Sequence, residues 1–120
     1  MDLIKIVNAR QTIDSFASKE DIGARLAYWM TKFVVKTESD HKFYVDELQK
    51  LLRKYGKEND DGNIVVPAES MEEFSKELTV LQNTDAEDPG IRFSLSELSS
   101  ELKLSMQQMY TLLDFVDEDK

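Results

Sequence analysis

The chain of 120 residues carries 24 acidic and 15 basic residues, a net charge of −9, and no cysteine. This length suffices for one domain that buries its own hydrophobic core. The lack of cysteine excludes disulfide scaffolds, thiolate zinc sites and cysteine nucleophiles. No apolar run approaches the roughly 20 residues that span a bilayer, and no secretory signal pattern is present. We therefore expect a cytoplasmic protein that does not enter a membrane.

The charge is distributed unevenly along the chain. Residues 1–57 hold 11 basic and 8 acidic residues, a net charge of +3, whereas residues 58–120 hold 4 and 16, a net charge of −12. Either the two halves face each other within one fold or across a dimer, or the acidic half is a surface for a charged partner. We favour the first interpretation.

The first predicted elements are a short strand and a short helix. Residues 2–7 are rich in Ile and Val and alternate imperfectly, which is typical of a strand. Asn8 is a suitable N-cap for a helix over residues 9–17.

The dominant predicted element is one long helix over about residues 20–55. This segment has no proline and one glycine, Gly23, near its start, while basic residues gather at its end before Gly56. Apolar and aromatic residues recur along it at alternating spacings of three and four, in a heptad-like stripe. Leu26, Trp29, Phe33 and Leu52 widen this stripe into a broad face that we expect to meet the core.

The length of this helix suggests a role in association. At 1.5 Å per residue it would be roughly 50 Å long, whereas a compact domain of this size is only about 30 Å across. Part of the helix should therefore project, bend at the polar residues 37–40, or pack on another chain. The candidate interface residues are Val34, Thr37, His41, Tyr44, Leu48 and Leu51.

A hairpin is predicted over residues 56–67, where Asp61-Gly62 is a strong turn signal and Pro67 ends the second strand. The capping pattern Ser70 to Glu73 then predicts a helix through about residue 82, followed by a short strand at 91–93. The polar turn does not match a calcium loop. When Gly62 is aligned with the glycine at the sixth position of a calcium-binding loop, Lys57 falls at the first position and Ala68 at the twelfth. The loop requires an oxygen ligand at the first position and a glutamate at the twelfth.

Two further capping patterns, at Ser94 and Ser105, predict a C-terminal helical hairpin over about residues 94–116. The segment resembles bacterial helix-turn-helix segments. Residues 106–116 nevertheless contain no Lys or Arg to contact phosphates, and acidic residues follow. We therefore interpret the segment as structural and expect its apolar residues to be core. Those residues are Met106, Met109, Leu112, Leu113 and Val116.

The sequence indicates no catalytic, cofactor-binding or metal-binding residues. His41 is the only histidine, and it lies within the long helix without a second imidazole or a thiol. The paired acidic residues fall in turns and at helix N-termini, where solvated carboxylates are common for structural reasons. No glycine-rich phosphate loop is present. We therefore expect a protein that is not an enzyme.

The order of these elements is similar to that of a family of small phage- and prophage-encoded proteins of unknown function. The similarity includes the end of the long helix, Tyr44 to Tyr55, the Asp-Gly hairpin and the segment Glu73 to Leu78. It implies a phage gene neighbourhood, with roles in virion assembly or in interaction with host proteins. The family has no assigned activity, so it assigns no residue a role.

Taken together, the sequence predicts a mainly α (α+β) fold in one domain. One long helix and shorter helices would pack on a small antiparallel sheet of residues 2–7, 63–67 and 91–93. The predicted function is a non-enzymatic protein–protein interaction module that self-associates as a homo-oligomer. The alternatives are a helix-turn-helix regulator using residues 94–116, or an acidic decoy that blocks a nucleic-acid-binding site; nucleic acid is not the expected partner.

Overall fold

Five α-helices make up most of the computed structural model, which describes residues 1–118. The helices are α1 (Leu3–Asp14), α2 (Ala24–Tyr55), α3 (Ala68–Gln82), α4 (Leu95–Glu101) and α5 (Met106–Leu112), the last followed by a 3-10 turn (Leu113–Phe115). The strands are β1 (Lys57–Glu58), β2 (Ile64–Val65), β3 (Phe93–Ser94) and β4 (Val116–Asp117). The predicted mainly α fold is therefore confirmed.

The predicted N-terminal strand over residues 2–7 is wrong, because these residues begin helix α1. Leu3, Ile6, Val7 and Ile13 are buried at helical spacing against the rest of the molecule. The Ile and Val content favoured a strand, but burial of this face overrides that local preference. The predicted helix over residues 9–17 coincides with the second half of α1 up to Asp14, and residues 15–17 form a turn.

Helix α2 is continuous through residues 37–40, where the sequence predicted a bend. Thr37 is completely buried there, and its hydroxyl is satisfied by a hydrogen bond of 2.7 Å that it donates to the Phe33 carbonyl oxygen. The 32-residue helix is about 48 Å long, and the molecule measures 50 × 31 × 24 Å. The helix therefore lies along the long axis of an elongated molecule.

The hairpin after α2 is confirmed, but the predicted three-stranded sheet is wrong. Strands β1 and β2 pair antiparallel, with Lys57 opposite Val65. The Asn59 side chain accepts hydrogen bonds of 3.0 Å from the backbone N–H groups of Asp61 and Asn63, and Gly62 adopts a φ of 82°. Strand β3 pairs instead in parallel with β4, and this pair forms a separate two-stranded sheet.

The two C-terminal capping predictions are confirmed. The Ser94 hydroxyl accepts the backbone N–H of Glu97 at 3.3 Å. Ser105 and Gln108 form a reciprocal capping box, with bonds of 3.1 and 2.8 Å. The capping pattern at Ser70 is wrong, because α3 already begins at Ala68 after Pro67.

Two hydrophobic clusters form the core, and α1 contributes to both. The larger one surrounds Phe33, whose ring meets the Phe115 ring edge-on at 5.0 Å between centroids. The smaller one comprises Leu3, Val7, Tyr44 and Leu81. The residues of the larger cluster are Ile6, Ala9, Ile13, Leu26, Met30, Phe33, Ile91, Phe93, Leu98, Leu102, Leu112 and Phe115.

Candidate interaction surface

The predicted interface stripe of α2 faces the interior of this chain. Thr37 and Tyr44 are only 0% and 7% exposed, so neither side chain is accessible to a partner. The other four candidates are half-buried. Val34 packs against the larger core cluster, and Leu48 and Leu51 pack against the smaller one. His41, the remaining candidate, is half-buried in the same stripe. The stripe thus stabilises the fold of the chain itself.

A buried arginine fixes this side of α2 to α1. The Arg10 Nε donates to both carboxylate oxygens of Asp14, at 3.0 and 3.1 Å, and Nη2 donates to the Glu38 carboxylate at 2.8 Å. Nη1 donates to the Val34 carbonyl oxygen at 3.3 Å. Burial disfavours the charge of Arg10, but the hydrogen bonds to Glu38 and Asp14 outweigh that cost and raise its pKa.

The opposite side of α2 carries large apolar side chains in solvent. Tyr28, Trp29, Val35 and Phe43 are between 40% and 67% exposed. A helical spacing of seven aligns Tyr28 with Val35, and a spacing of fourteen aligns Trp29 with Phe43. The prediction that Trp29 meets the core is wrong, because its side chain is 40% exposed.

Four cations lie among these apolar side chains. Together they form what we call the cationic aromatic face: Arg25, Tyr28, Trp29, Lys32, Val35, Lys36, Lys42 and Phe43. The face was missed because the sequence alone does not show which side of an amphipathic helix receives α1 and α3. The signal that could have revealed it is the recurrence of Lys and aromatic residues at spacings of three, four and seven.

Among residues 1–118, part of the positive charge on this face has no salt-bridge partner. Arg25 lies 3.5 Å from the Glu97 carboxylate, and the Lys36 ammonium donates to the Pro89 carbonyl oxygen at 3.5 Å. The Lys32 ammonium lies 6.0 Å from the centroid of the Tyr28 ring. Among residues 1–118, neither Lys32 nor Lys42 forms a salt bridge. The face is thus both apolar and positively charged.

A second exposed apolar surface lies on α5. Met106, Tyr110 and the following Leu113 are between 59% and 93% exposed and lie on one side of the helix; we call them the α5 stripe. The prediction that Met106 and Leu113 belong to the core is wrong, although Leu112 is buried as expected. Acidic residues follow the stripe closely in sequence: Asp114, Asp117 and Glu118.

The cavities formed by residues 1–118 are shallow and lie at the surface. One of about 400 Å³ lies between the end of α1, the following loop and α2, and it is lined mainly by apolar side chains such as Phe16, Ile22 and Met30. Within residues 1–118, no three His, Cys, Asp or Glu side chains are placed to hold a metal ion together. No helix among these residues is both long enough and apolar enough to cross a membrane.

Comparisons with protein-family models, with curated proteins and with solved structures find no match to this chain.

Proposed function

We propose that the protein is a non-enzymatic protein–protein interaction module that binds its partner through the cationic aromatic face of α2. The observation that carries this proposal is the exposure of Tyr28, Trp29, Val35 and Phe43 on the side of α2 opposite its buried residues. We further propose that this binding serves virion assembly or contact with a host protein in the cytoplasm, the roles that the order of elements in the sequence implies.

The composition of this face is typical of binding surfaces. Tyr, Trp, Phe and Arg are enriched in the buried centres of protein interfaces, where they supply much of the binding energy. Apolar side chains that gather on one exposed surface also mark interaction sites more often than scattered ones do. The ammonium groups of Lys32 and Lys42, which form no salt bridge within the part of the chain that the structure describes, would attract an acidic partner and orient it before contact.

The fold itself does not depend on this face. Helix α2 contacts α1 and α3 through its other side, where Leu26, Met30 and Phe33 are buried. The exposed aromatic side chains therefore add little to the core, and their accessibility to solvent costs hydrophobic free energy unless a partner covers them.

Site-specific photo-crosslinking in cells tests the proposal. A benzophenone amino acid would replace Val35, at the centre of the face, and a matched variant would carry it at Asp60, in the exposed hairpin loop. We expect a discrete adduct from position 35 and none from position 60. The absence of any adduct specific to position 35 would contradict the proposal.

A second candidate function, a DNA-binding regulator, rests on the geometry of α4 and α5. Two short capped helices are joined by residues 102–105, as in helix-turn-helix segments, and the first turn of α5 exposes Met106 and Gln107. Against it, residues 104–118 contain no Lys or Arg to contact phosphates, and the following acidic residues would repel DNA. Binding of random-sequence duplex DNA at low salt, measured by fluorescence anisotropy, would support this candidate; no binding would eliminate it.

A further inference from the structure

We propose that the groove between α1 and α5 is a binding site for a neutral carbohydrate of two or more sugar units. The groove is a surface cavity of about 600 Å³ between the two helices, within the range of about 300–1,000 Å³ that small-ligand sites occupy. This inference goes beyond the proposed function, because none of the residues that line the groove belongs to the cationic aromatic face.

The side chains that line this groove are polar but carry no charge. Four of the nine are carboxamides, four are hydroxyls of Ser and Thr, and the ninth is Tyr110. Charged residues make up 32% of the chain, so a polar surface of this size without one of them points to a neutral polar ligand. A charged ligand would lose hydration there without meeting an opposite charge, and an apolar ligand would cover the amides without bonding them.

The carboxamides of the groove are available to a ligand. Asn8, Gln11 and Gln107 are exposed, and within residues 1–118 their side chains form no hydrogen bond. Each carboxamide offers two N–H donors and an acceptor oxygen, so neighbouring amides can bond hydroxyl groups that both donate and accept. A sugar ring, which carries hydroxyls on adjacent carbon atoms, has this chemistry.

The hydroxyls of the groove supply further acceptors. The Thr111 hydroxyl donates to the Gln108 carbonyl oxygen at 2.7 Å, so it accepts in its 2.6 Å hydrogen bond with the Thr12 hydroxyl. The Ser15 hydroxyl donates to the Thr12 carbonyl oxygen at 2.5 Å. The hydroxyl protons of Thr12 and Ser15 are thus used within the protein, and their oxygen lone pairs remain for a ligand. The bond between Thr12 and Thr111 also ties α1 to α5, so the groove is formed before a ligand arrives.

Tyr110 gives the groove an aromatic surface. It is 77% exposed and lines both the groove and a neighbouring cavity of about 350 Å³, which also shares Asn8 and Thr111 with the groove. The electron-rich face of an aromatic ring suits the C–H groups on one side of a sugar ring. Because Tyr110 borders both cavities, a ligand of two or more sugar units can continue past it. The charged residues of the second cavity, Lys5 and Asp114, lie 3.7 Å apart and neutralise each other.

A peptide is the other neutral ligand with many hydrogen-bonding groups, and the groove suits it less well. The backbone groups of α1 and α5 bond within each helix, so the two walls present no strand edge that an extended peptide could join. A helical peptide would need an apolar groove, whereas eight of the nine lining side chains here are amides or aliphatic hydroxyls.

An array of immobilised glycans, probed with the fluorescently labelled full chain, tests this site. The array carries neutral oligomers of glucose, mannose, galactose and N-acetylhexosamine, with sulfated heparin fragments and random-sequence peptides for comparison. Tyr110→Ala and Gln11→Ala alter the groove. Tyr28→Ala and Gln49→Ala make the same changes on α2, outside the groove. All four side chains are exposed, so folding should persist.

We expect the wild-type protein to bind at least one class of neutral oligomer. Tyr110→Ala should weaken this binding about tenfold, since it removes the aromatic surface, and Gln11→Ala should weaken it about threefold. Both α2 controls should bind as the wild type does. In ¹H–¹⁵N NMR spectra, the bound oligomer should shift the side-chain amide signals of Asn8, Gln11 and Gln107 but not that of Gln49.

Three results would overturn the inference. Binding of the wild-type protein to no neutral oligomer would show that the groove is not a carbohydrate site. Binding only to heparin fragments or only to peptides would assign a different ligand. Glycan binding that survives both groove variants unchanged would place the site elsewhere on the molecule. None of these results depends on crosslinking at position 35, so the proposed function is tested separately.

Discussion

Arg10 shows how one charged side chain can be accommodated in an apolar setting. Its stem is buried between α1 and α2, while its guanidinium reaches two carboxylates that are themselves partly solvated. This arrangement avoids the large cost of an isolated buried charge, because Nε, Nη1 and Nη2 each donate to an oxygen atom. The sequence gives no sign of it, since Arg10 and Glu38 are 28 residues apart.

Replacing Arg10 by methionine should lower the free energy of unfolding by about 2 kcal/mol, because charge-assisted hydrogen bonds of this kind contribute about 1.5–3 kcal/mol. The loss is limited because Asp14 and Glu38 can be hydrated once the arginine is gone. Urea denaturation measures the change. The control is Lys5→Met, which removes an exposed ion pair and should cost no more than about 0.5 kcal/mol. Equal losses in the two variants would contradict the account.

Asp88 gives the clearest expected dependence of stability on pH. The Arg92 guanidinium bonds its carboxylate at 2.6 and 3.1 Å, and the Gly90 backbone N–H adds a bond of 2.8 Å. These bonds lower the pKa of Asp88 to about 2. Because the pKa of Asp88 is lowered in the folded state, its ionised carboxylate stabilises the fold at pH values above the unfolded pKa of about 4. This stabilisation is lost as the pH falls towards 2.

The wild-type protein should therefore be more stable than Asp88→Asn at pH 5, and the difference should vanish near pH 2. Urea midpoints at both pH values provide the measurement. A difference that stays constant across this range would show that the ionised carboxylate is not what stabilises the loop.

The helices were predictable to the extent that their signals are local. The hairpin, the caps at Ser94 and Ser105 and the long α2 depend on residues close together in sequence, and all of them are confirmed. The N-terminal segment was misassigned because its β-branched residues suit a strand, whereas its helical spacing becomes decisive only when α2 is present to cover it. The pairing of β3 with β4 joins residues more than twenty positions apart and leaves no local pattern.

Helix α1 should be essential to the fold, because its buried side chains contribute to both core clusters. Ile6→Ala removes a fully buried side chain and should destabilise the protein by about 3 kcal/mol, as cavity-forming substitutions do. Ile64→Ala makes the same change in the hairpin, where Ile64 is half exposed, and should cost less than about 1 kcal/mol. Thermal denaturation followed by circular dichroism compares the two, and similar melting temperatures would argue against this role of α1.

The candidate interface was predictable only in part. The sequence indicates correctly that α2 has one broad apolar stripe. The prediction that part of this stripe meets another chain assumed a compact domain about 30 Å across, which is shorter than the helix. The molecule is instead elongated, so α1 and α3 together cover the stripe from Met30 to Tyr55. The cationic aromatic face on the other side of α2 remains accessible. Its exposed apolar residues can be recognised only when the side of α2 that contacts α1 and α3 is known.

Opposite charges of the two halves of the chain meet within one copy. The first half supplies the cations of α2, and the second half supplies carboxylates that pair with some of them. Lys54 lies 3.2 Å from the Glu77 carboxylate, and Arg25 lies 3.5 Å from that of Glu97. Asp117 lies beside Arg25 and Trp29 in one surface cavity. Part of the uneven charge of the sequence is therefore explained by pairing within the molecule.

Quenching of the fluorescence of Trp29 by acrylamide tests the central claim, that the cationic aromatic face is a binding surface, most directly. Trp29 is the only tryptophan and lies on this face, where it is 40% exposed. We predict strong quenching of Trp29 in the purified protein and protection in the complex with the partner that crosslinks at position 35. Lys76→Glu/Val80→Glu, on α3, should show the same protection, and Lys32→Glu/Val35→Glu, on the face itself, should show none. Quenching of Trp29 that is equally strong in the free protein and in the complex would contradict the claim.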